Sequence, residues 1–316
     1  MEAALQTTST SGSITAAPIL TIEDLIAAFI RTQDVKENSR ALYKRTLKLF
    51  LNWIEDAGLQ LQNITRAEII GYKEQLLTAG KSPLTVSGYL TVVRKFFEWA
   101  EGNKYYPNVA KGVKSPRRKQ QFQKQPLTQE KGRELLEYFK TEAARNYALV
   151  NLLVRTGLRT IEASRANVED VQIKGGRRVL LVHGKGRDCK DGFVILTDKA
   201  YEPLKKYIAS RGAISPGEPL FISSCNRNKG GRLSTRAISR ICKEGLKAIH
   251  LDEKAFTAHS LRHTTAVNIL RAGGNLADAQ GVLRHANPAT TQIYTATIAE
   301  EIRLQNPAES LIDGIL

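Results

Sequence analysis

A few residues in the C-terminal half of this 316-residue chain have types and spacing suited to one chemistry. Arg159 stands in Thr156-Gly157-Leu158-Arg159, at the end of an apolar helical stretch. Lys185 lies in the turn Gly184-Lys185-Gly186. His259, Arg262 and His263 share the run His259-Ser260-Leu261-Arg262-His263. His285 and Tyr294 follow, so three of the five histidines fall within this stretch. A phosphodiester passing through its transition state gathers negative charge on its non-bridging oxygens. Guanidinium groups match that geometry bidentately and stay charged. A lysine can place a proton near a leaving oxygen, and imidazoles can donate or shuttle protons. A tyrosine oxygen can act as a covalent nucleophile, and nearby cations favour its phenolate.

Taken singly, each residue has an ordinary reading as well. A lone tyrosine packs, a lone arginine pairs with a carboxylate, and a lysine in a Gly-flanked turn is solvated. His263 follows Arg262 directly, which sets it apart as structural. His259 and Arg262 are three apart and can face one site. The set in order is far more specific than its members.

The elements that must position these groups fall into two blocks. Residues 20–105 read as all helix: Ile22, Leu25, Ile26 and Phe29 mark one stripe, and Leu42, Leu47, Phe50 and Ile54 a second. Thr65 and Glu68 have capping-box spacing, and Ser82-Pro83 opens a fourth helix. Tyr72, Tyr89, Trp53 and Trp99 read as core packing. Residues 106–125 carry Lys111, Lys114, Arg117, Arg118, Lys119 and Lys124 with no acidic residue, the pattern of an exposed basic linker. From residue 126 to 316 the chain is mixed. Helices are expected over 130–140, 144–155, 199–210, 234–249, 260–272 and 275–283. Apolar runs at 168–173, 178–183 and 193–196, separated by glycines, predict a small antiparallel meander. The fold class expected is therefore mainly α with a small antiparallel β-sheet. Residues 1–19, rich in Ser, Thr and Ala, read as a disordered tail with no signal peptide.

Composition bounds the partner. A formal net charge of +16 favours a polyanion, and nucleic acid is the default reading. Cys189, Cys225 and Cys242 form no CxxC pair, so a reduced, intracellular setting fits and a structural zinc site does not. No apolar run approaches the roughly 20 residues of a membrane helix. No acidic cluster of two-metal type stands among the motifs.

In this order the motifs resemble those of the tyrosine recombinase (phage integrase) family over residues 20–300. Thr156-Gly157-Leu158-Arg159-Thr160-Ile161-Glu162, Gly184-Lys185-Gly186, His259-Ser260-Leu261-Arg262-His263, His285 and Tyr294 match its pattern. The resemblance implies a two-domain, Xer-like architecture: a helical core-binding domain and an α+β catalytic domain. It implies that Tyr294 attacks the scissile phosphate to form a 3′-phosphotyrosine, with Arg159 and Arg262 stabilising the transition state. Lys185 then protonates the 5′ oxygen, and His259 and His285 bond the phosphate or assist proton transfer. Glu162 resembles a supporting acidic residue. The resemblance also implies chemistry without metal or cofactor, in agreement with the lack of an acidic two-metal cluster. One position departs from the pattern: where the family usually has Gly before the second His, this chain has Arg284, an added charge that either contacts DNA or only alters the local turn.

The implied partners are double-stranded DNA with specific recombination sites and a homotetramer in the synaptic complex, in the cytoplasm. The apolar positions after Tyr294 (Ile298, Ile302, Leu304, Leu311, Ile312 and Ile315) would pack on a neighbouring subunit, as the resemblance implies, or form a helix folded back on their own domain. Lys114, Arg117, Arg118 and Lys119 would lie along the DNA backbone. A type IB topoisomerase and a non-catalytic DNA-binding relative are the alternatives.

Overall fold

The computed structural model describes residues 21–117, 124–184, 189–284 and Tyr294. The chain divides into two compact units, residues 1–121 and 122–316.

The first unit is helical: α1 (Ile22–Arg31), α2 (Glu37–Asp56), α3 (Arg66–Thr78) and α4 (Pro83–Gly102). Local chemistry sets its boundaries. Thr21 and Thr65 open α1 and α3 with capping boxes, each side chain receiving a helix N–H while Asp24 or Glu68 reaches back. Ser82 caps α4 ahead of Pro83, whose missing N–H is harmless in the first turn. The inward stripes supply a core rich in rings. Phe50 meets Tyr72 at 5.0 Å and Phe97 at 6.1 Å, and Trp53 lies 5.0 Å from Tyr72. Each buried phenylalanine contributes roughly 1.5–3 kcal/mol by leaving water.

The segment expected to begin a linker at residue 106 instead closes onto this unit. Ala110 and Val113 are buried. Tyr106 donates its hydroxyl hydrogen to the Ile64 carbonyl at 2.8 Å, and Arg66 and Arg94 bond the carbonyls of Gly112 and Val113. The basic residues hid this docking from sequence reasoning, because they alternate with the apolar residues that anchor it. Lys111, Lys114 and Arg117 remain exposed; Arg118 and Lys119 lie outside the described residues.

The second unit begins with α5 (Gln129–Lys140), α6 (Ala144–Thr156) and α7 (Thr160–Arg165). A three-stranded antiparallel sheet follows in the order β1 (Val171–Lys174), β2 (Arg177–His183), β3 (Lys190–Ile195). Then come α8 (Asp198–Ala209), α9 (Thr235–Ala248), α10 (Ala258–Arg271) and α11 (Leu276–Leu283). The expected meander is present, but its first run is shorter: Val168–Asp170 forms a 3₁₀ turn and the strand starts at Val171. The six-residue α7 was not anticipated, being too short to show a helical period. Pro203 inside α8 cannot donate to the Lys199 carbonyl, and the fully buried Asn151 amide donates there instead, at 2.9 Å. No helix among the described residues is long and apolar enough to cross a membrane.

Candidate active site

The site is assembled where the α6–α7 turn, α10 and the end of α11 meet. Helix α6 stops at Gly157, which takes a left-handed conformation with φ of 61°. A Cβ there would lie 2.5 Å from Leu283 and 3.4 Å from Thr265, so glycine is required by backbone and by space. This tight turn delivers Arg159 to the start of α7. Its backbone N–H donates to Glu162 Oε2 and its Nη1 to Glu162 Oε1, both at 2.8 Å. Glu162 is only 2% exposed. Burial would raise its pKa, but Arg284, the Arg159 backbone N–H and the Arg159 guanidinium outweigh burial and hold the carboxyl below its ordinary value.

Arg262 projects from α10 and is also 2% exposed. Its Nη1 donates to the Gly157 carbonyl and its Nη2 to the Leu283 carbonyl, the latter at 2.5 Å. One guanidinium thereby ties three elements together. Burial, with Arg159 beside it, pushes its pKa down to about 10, so it stays cationic at neutral pH.

His259 and His263 lie one helical turn apart on α10, their rings edge to face at 4.5 Å. The Tyr294 ring follows at 5.3 Å from His263, and His263 Nδ1 lies 2.6 Å from Tyr294 Oη. His263, set apart as structural by sequence reasoning, is thus the residue against the phenol. The i,i+4 spacing from His259 was the available signal. Burial raises the Tyr294 pKa, while Arg262 and Arg159 pull it the other way. His259 is an exposed residue, yet desolvation and the cations Arg262, Arg159 and Lys124 lower its pKa. It is the imidazole nearest to water in this row.

Arg284 turns inward. Its Nη2 donates to Glu162 Oε2 and its Nη1 to the Val282 carbonyl, both at 2.8 Å, and its side chain is 17% exposed. Lys185 and His285 lie outside the described residues. The hairpin that carries Lys185 is fixed at its base: Arg165 donates to the Gly184 carbonyl at 3.2 Å, and Lys190 pairs with buried Asp170 at 2.5 Å. The structure thus brings Arg159, His259, Arg262, Arg284 and Tyr294 into one network and adds His263 to them. Lys114 and Arg117 belong to the first unit.

A helical unit, followed by an α+β unit that sets a buried tyrosine among imidazoles and guanidiniums, has the make-up of a tyrosine recombinase, an enzyme that breaks and rejoins DNA. The comparisons with known proteins agree. Residues 125–301 match the model of the phage integrase family, and residues 22–104 that of the phage integrase N-terminal SAM-like domain. The chain belongs to the phage integrase family. It is 33% identical to the tyrosine recombinase XerC of Thermodesulfovibrio yellowstonii over 80% of this chain and 83% of that one. It is 29% identical to XerD of Oceanobacillus iheyensis, over 87% and 92%. The same fold occurs in the XerH site-specific recombinase bound to its palindromic difH substrate. That likeness has a TM-score of 0.73 at 21% identity, covering 92% of this chain and 85% of that one. It occurs too in the Tn1549 transposon integrase in complex with circular intermediate DNA, with a TM-score of 0.71 at 18% identity, covering 87% and 95%.

Proposed function

We propose that Tyr294 is the nucleophile of a site-specific recombinase acting on double-stranded DNA. Its phenol gives up its proton to the facing His263 Nδ1, its oxygen attacks the scissile phosphorus, the bond to the 5′ oxygen breaks, and a 3′-phosphotyrosine holds the bond energy. Arg159 and Arg262 stabilise the added negative charge, and Lys185 delivers the proton that the 5′ oxygen takes as it leaves. His259 and His285 bond the phosphate. A 5′ hydroxyl from a partner duplex reverses the step: it passes its proton to Lys185 and displaces the tyrosine, which recovers a proton from His263. The observation that carries this reading is the buried Tyr294 hydroxyl, 2.6 Å from His263 Nδ1 and under the electrostatic pull of Arg262 and Arg159. A phenol placed only for packing would have no use for that company.

Residues 20–105 act as the core-binding domain and 126–316 as the catalytic domain. Lys114, Arg117, Arg118 and Lys119 contribute sequence-independent phosphate contacts. The active assembly is a homotetramer on two recombination sites, and the reaction takes place in the cytoplasm without metal or nucleotide.

The test uses a pool of nicked duplexes of randomised sequence, incubated in EDTA. Members that become linked to protein on a denaturing gel carry the site. Tyr294→Phe is expected to bind the selected duplex as the wild type does and to form no adduct. An adduct that persists in the phenylalanine variant would falsify the assignment.

A further inference from the structure

Arg284 is the one motif position at which this chain departs from the pattern it resembles, and its backbone shows that the residue is retained against a cost. It closes α11 in the left-handed region, with φ of 54°. Glycine sits there freely, whereas the Cβ of any other residue crowds the backbone. An observed strain of this kind calls for a use of the side chain. The stem passes over Gly192 of β3, where an added Cβ would come 3.2 Å from Arg284 Cδ. The guanidinium then forks between the Val282 carbonyl and Glu162 Oε2. Glu162 Oε1 holds Arg159 Nη1 on the opposite side. A single buried carboxylate therefore sits between two guanidiniums, and its two oxygens are assigned to different side chains.

We propose that Arg284 is a positioning residue for DNA cleavage: by occupying one oxygen of Glu162, it leaves Arg159 held by a single guanidinium bond and its remaining N–H groups free for the scissile phosphate. The inference rests on the reading of Arg159 as a phosphate ligand. Without Arg284, Glu162 Oε2 keeps only the Arg159 backbone N–H, and its second acceptor site opens to the Arg159 guanidinium, completing a fork, the geometry that carboxylates and guanidiniums prefer. That fork withdraws donors from the phosphate and turns the guanidinium plane. A misdirected donor in a preorganised site lowers the rate far more than it lowers binding. A direct DNA contact by Arg284 would act oppositely, through affinity and its salt dependence.

The experiment measures adduct formation at saturating protein, and affinity across a salt series, on the selected nicked duplex. The variants are Arg284→Gly, Arg284→Gln, Glu162→Gln and the double variant Arg284→Gly with Glu162→Gln. Glycine suits the left-handed backbone. Glutamine keeps part of the stem over Gly192, so it guards against a folding failure of the glycine variant. Both are expected to slow cleavage roughly tenfold with affinity and salt slope unchanged. In the Glu162→Gln background, Arg284→Gly should have almost no further effect, because the carboxylate it restrains is gone. Equal rates for wild type and Arg284→Gly overturn the inference and leave the assignment of Tyr294 standing. So does a loss of affinity with a flattened salt slope, which would mark Arg284 as a phosphate contact, or an effect that simply adds to that of Glu162→Gln. An adduct formed by Tyr294→Phe overturns both readings together.

Discussion

Two tyrosines, one in each unit, are buried almost equally, yet their surroundings differ in kind. Tyr72 of α3 is 2% exposed and Tyr294 is 3% exposed. Tyr72 packs among Phe50 and Trp53, and its hydroxyl has no hydrogen-bond partner among the described residues. Burial raises its pKa, and no cation opposes the shift. Tyr294 is raised by burial too, but it has His263 against its oxygen and two arginines pulling the other way. The contrast extends to the units themselves. Among the described residues, the buried polar residues of the helical unit are Thr46 and Ser87, whereas the second unit buries Glu162, Asp170, Arg262 and His263 along with several hydroxyls and an amide. Burial by itself makes a phenol inert; burial among fixed charges makes it available to chemistry.

The most severe break in this comparison should come from Arg262→Met, which fills the space with an apolar side chain. The Gly157 and Leu283 carbonyls would lose their donor. At about 1–3 kcal/mol for each stranded group, the variant should lose roughly 2–6 kcal/mol in urea unfolding. A loss below about 1 kcal/mol would show that the carbonyls find other partners and that the network is not what holds α6, α10 and α11 together.

A smaller effect should appear with pH. Glu162 is held below its ordinary value in the folded protein, so its charged form adds stability above the unfolded pKa near 4.5. That contribution is lost as pH falls through the lowered folded value. Glu162→Gln should therefore lower the melting temperature at pH 6–7, by roughly 1–3 kcal/mol equivalent, and the difference from wild type should shrink on acidification toward pH 3. A difference that stays constant across this range would show that the carboxylate charge is not what binds Arg159 and Arg284.

The smallest effect is expected at Tyr72→Phe, which removes a hydroxyl that satisfies nothing. Stability should be unchanged or should rise by up to about 1 kcal/mol, with cleavage unaffected. Destabilisation by more than about 1 kcal/mol would reveal a partner for that hydroxyl and erase the contrast with Tyr294.

Much of this was legible in sequence because it is short-range. The Thr65–Glu68 box and the Ser82-Pro83 start announce α3 and α4 from residues within one turn. Glycine at the end of α6 is equally local. Short elements were less legible: α7 has no period to read, and residues 106–113 look like linker because their anchors, Ala110 and Val113, stand among lysines. His263 reads as structural from its adjacency to Arg262, while its four-residue spacing from His259 is what places it on the same helix face.

The amino-acid order by itself determined the helical and mixed blocks, the family pattern and the set of candidate side chains, since periodicity, capping and motif order all act within a few residues. Only the tertiary structure decided which of those side chains share a partner. Arg262 and the Gly157 carbonyl are 105 residues apart in the chain, and Arg284 and Glu162 are 122 apart. A charge at Arg284 reads the same from sequence whether it faces DNA or a buried carboxylate. The packing of α11 against the α6–α7 turn turns it toward Glu162, because a buried carboxylate must be met by donors wherever the fold can bring them.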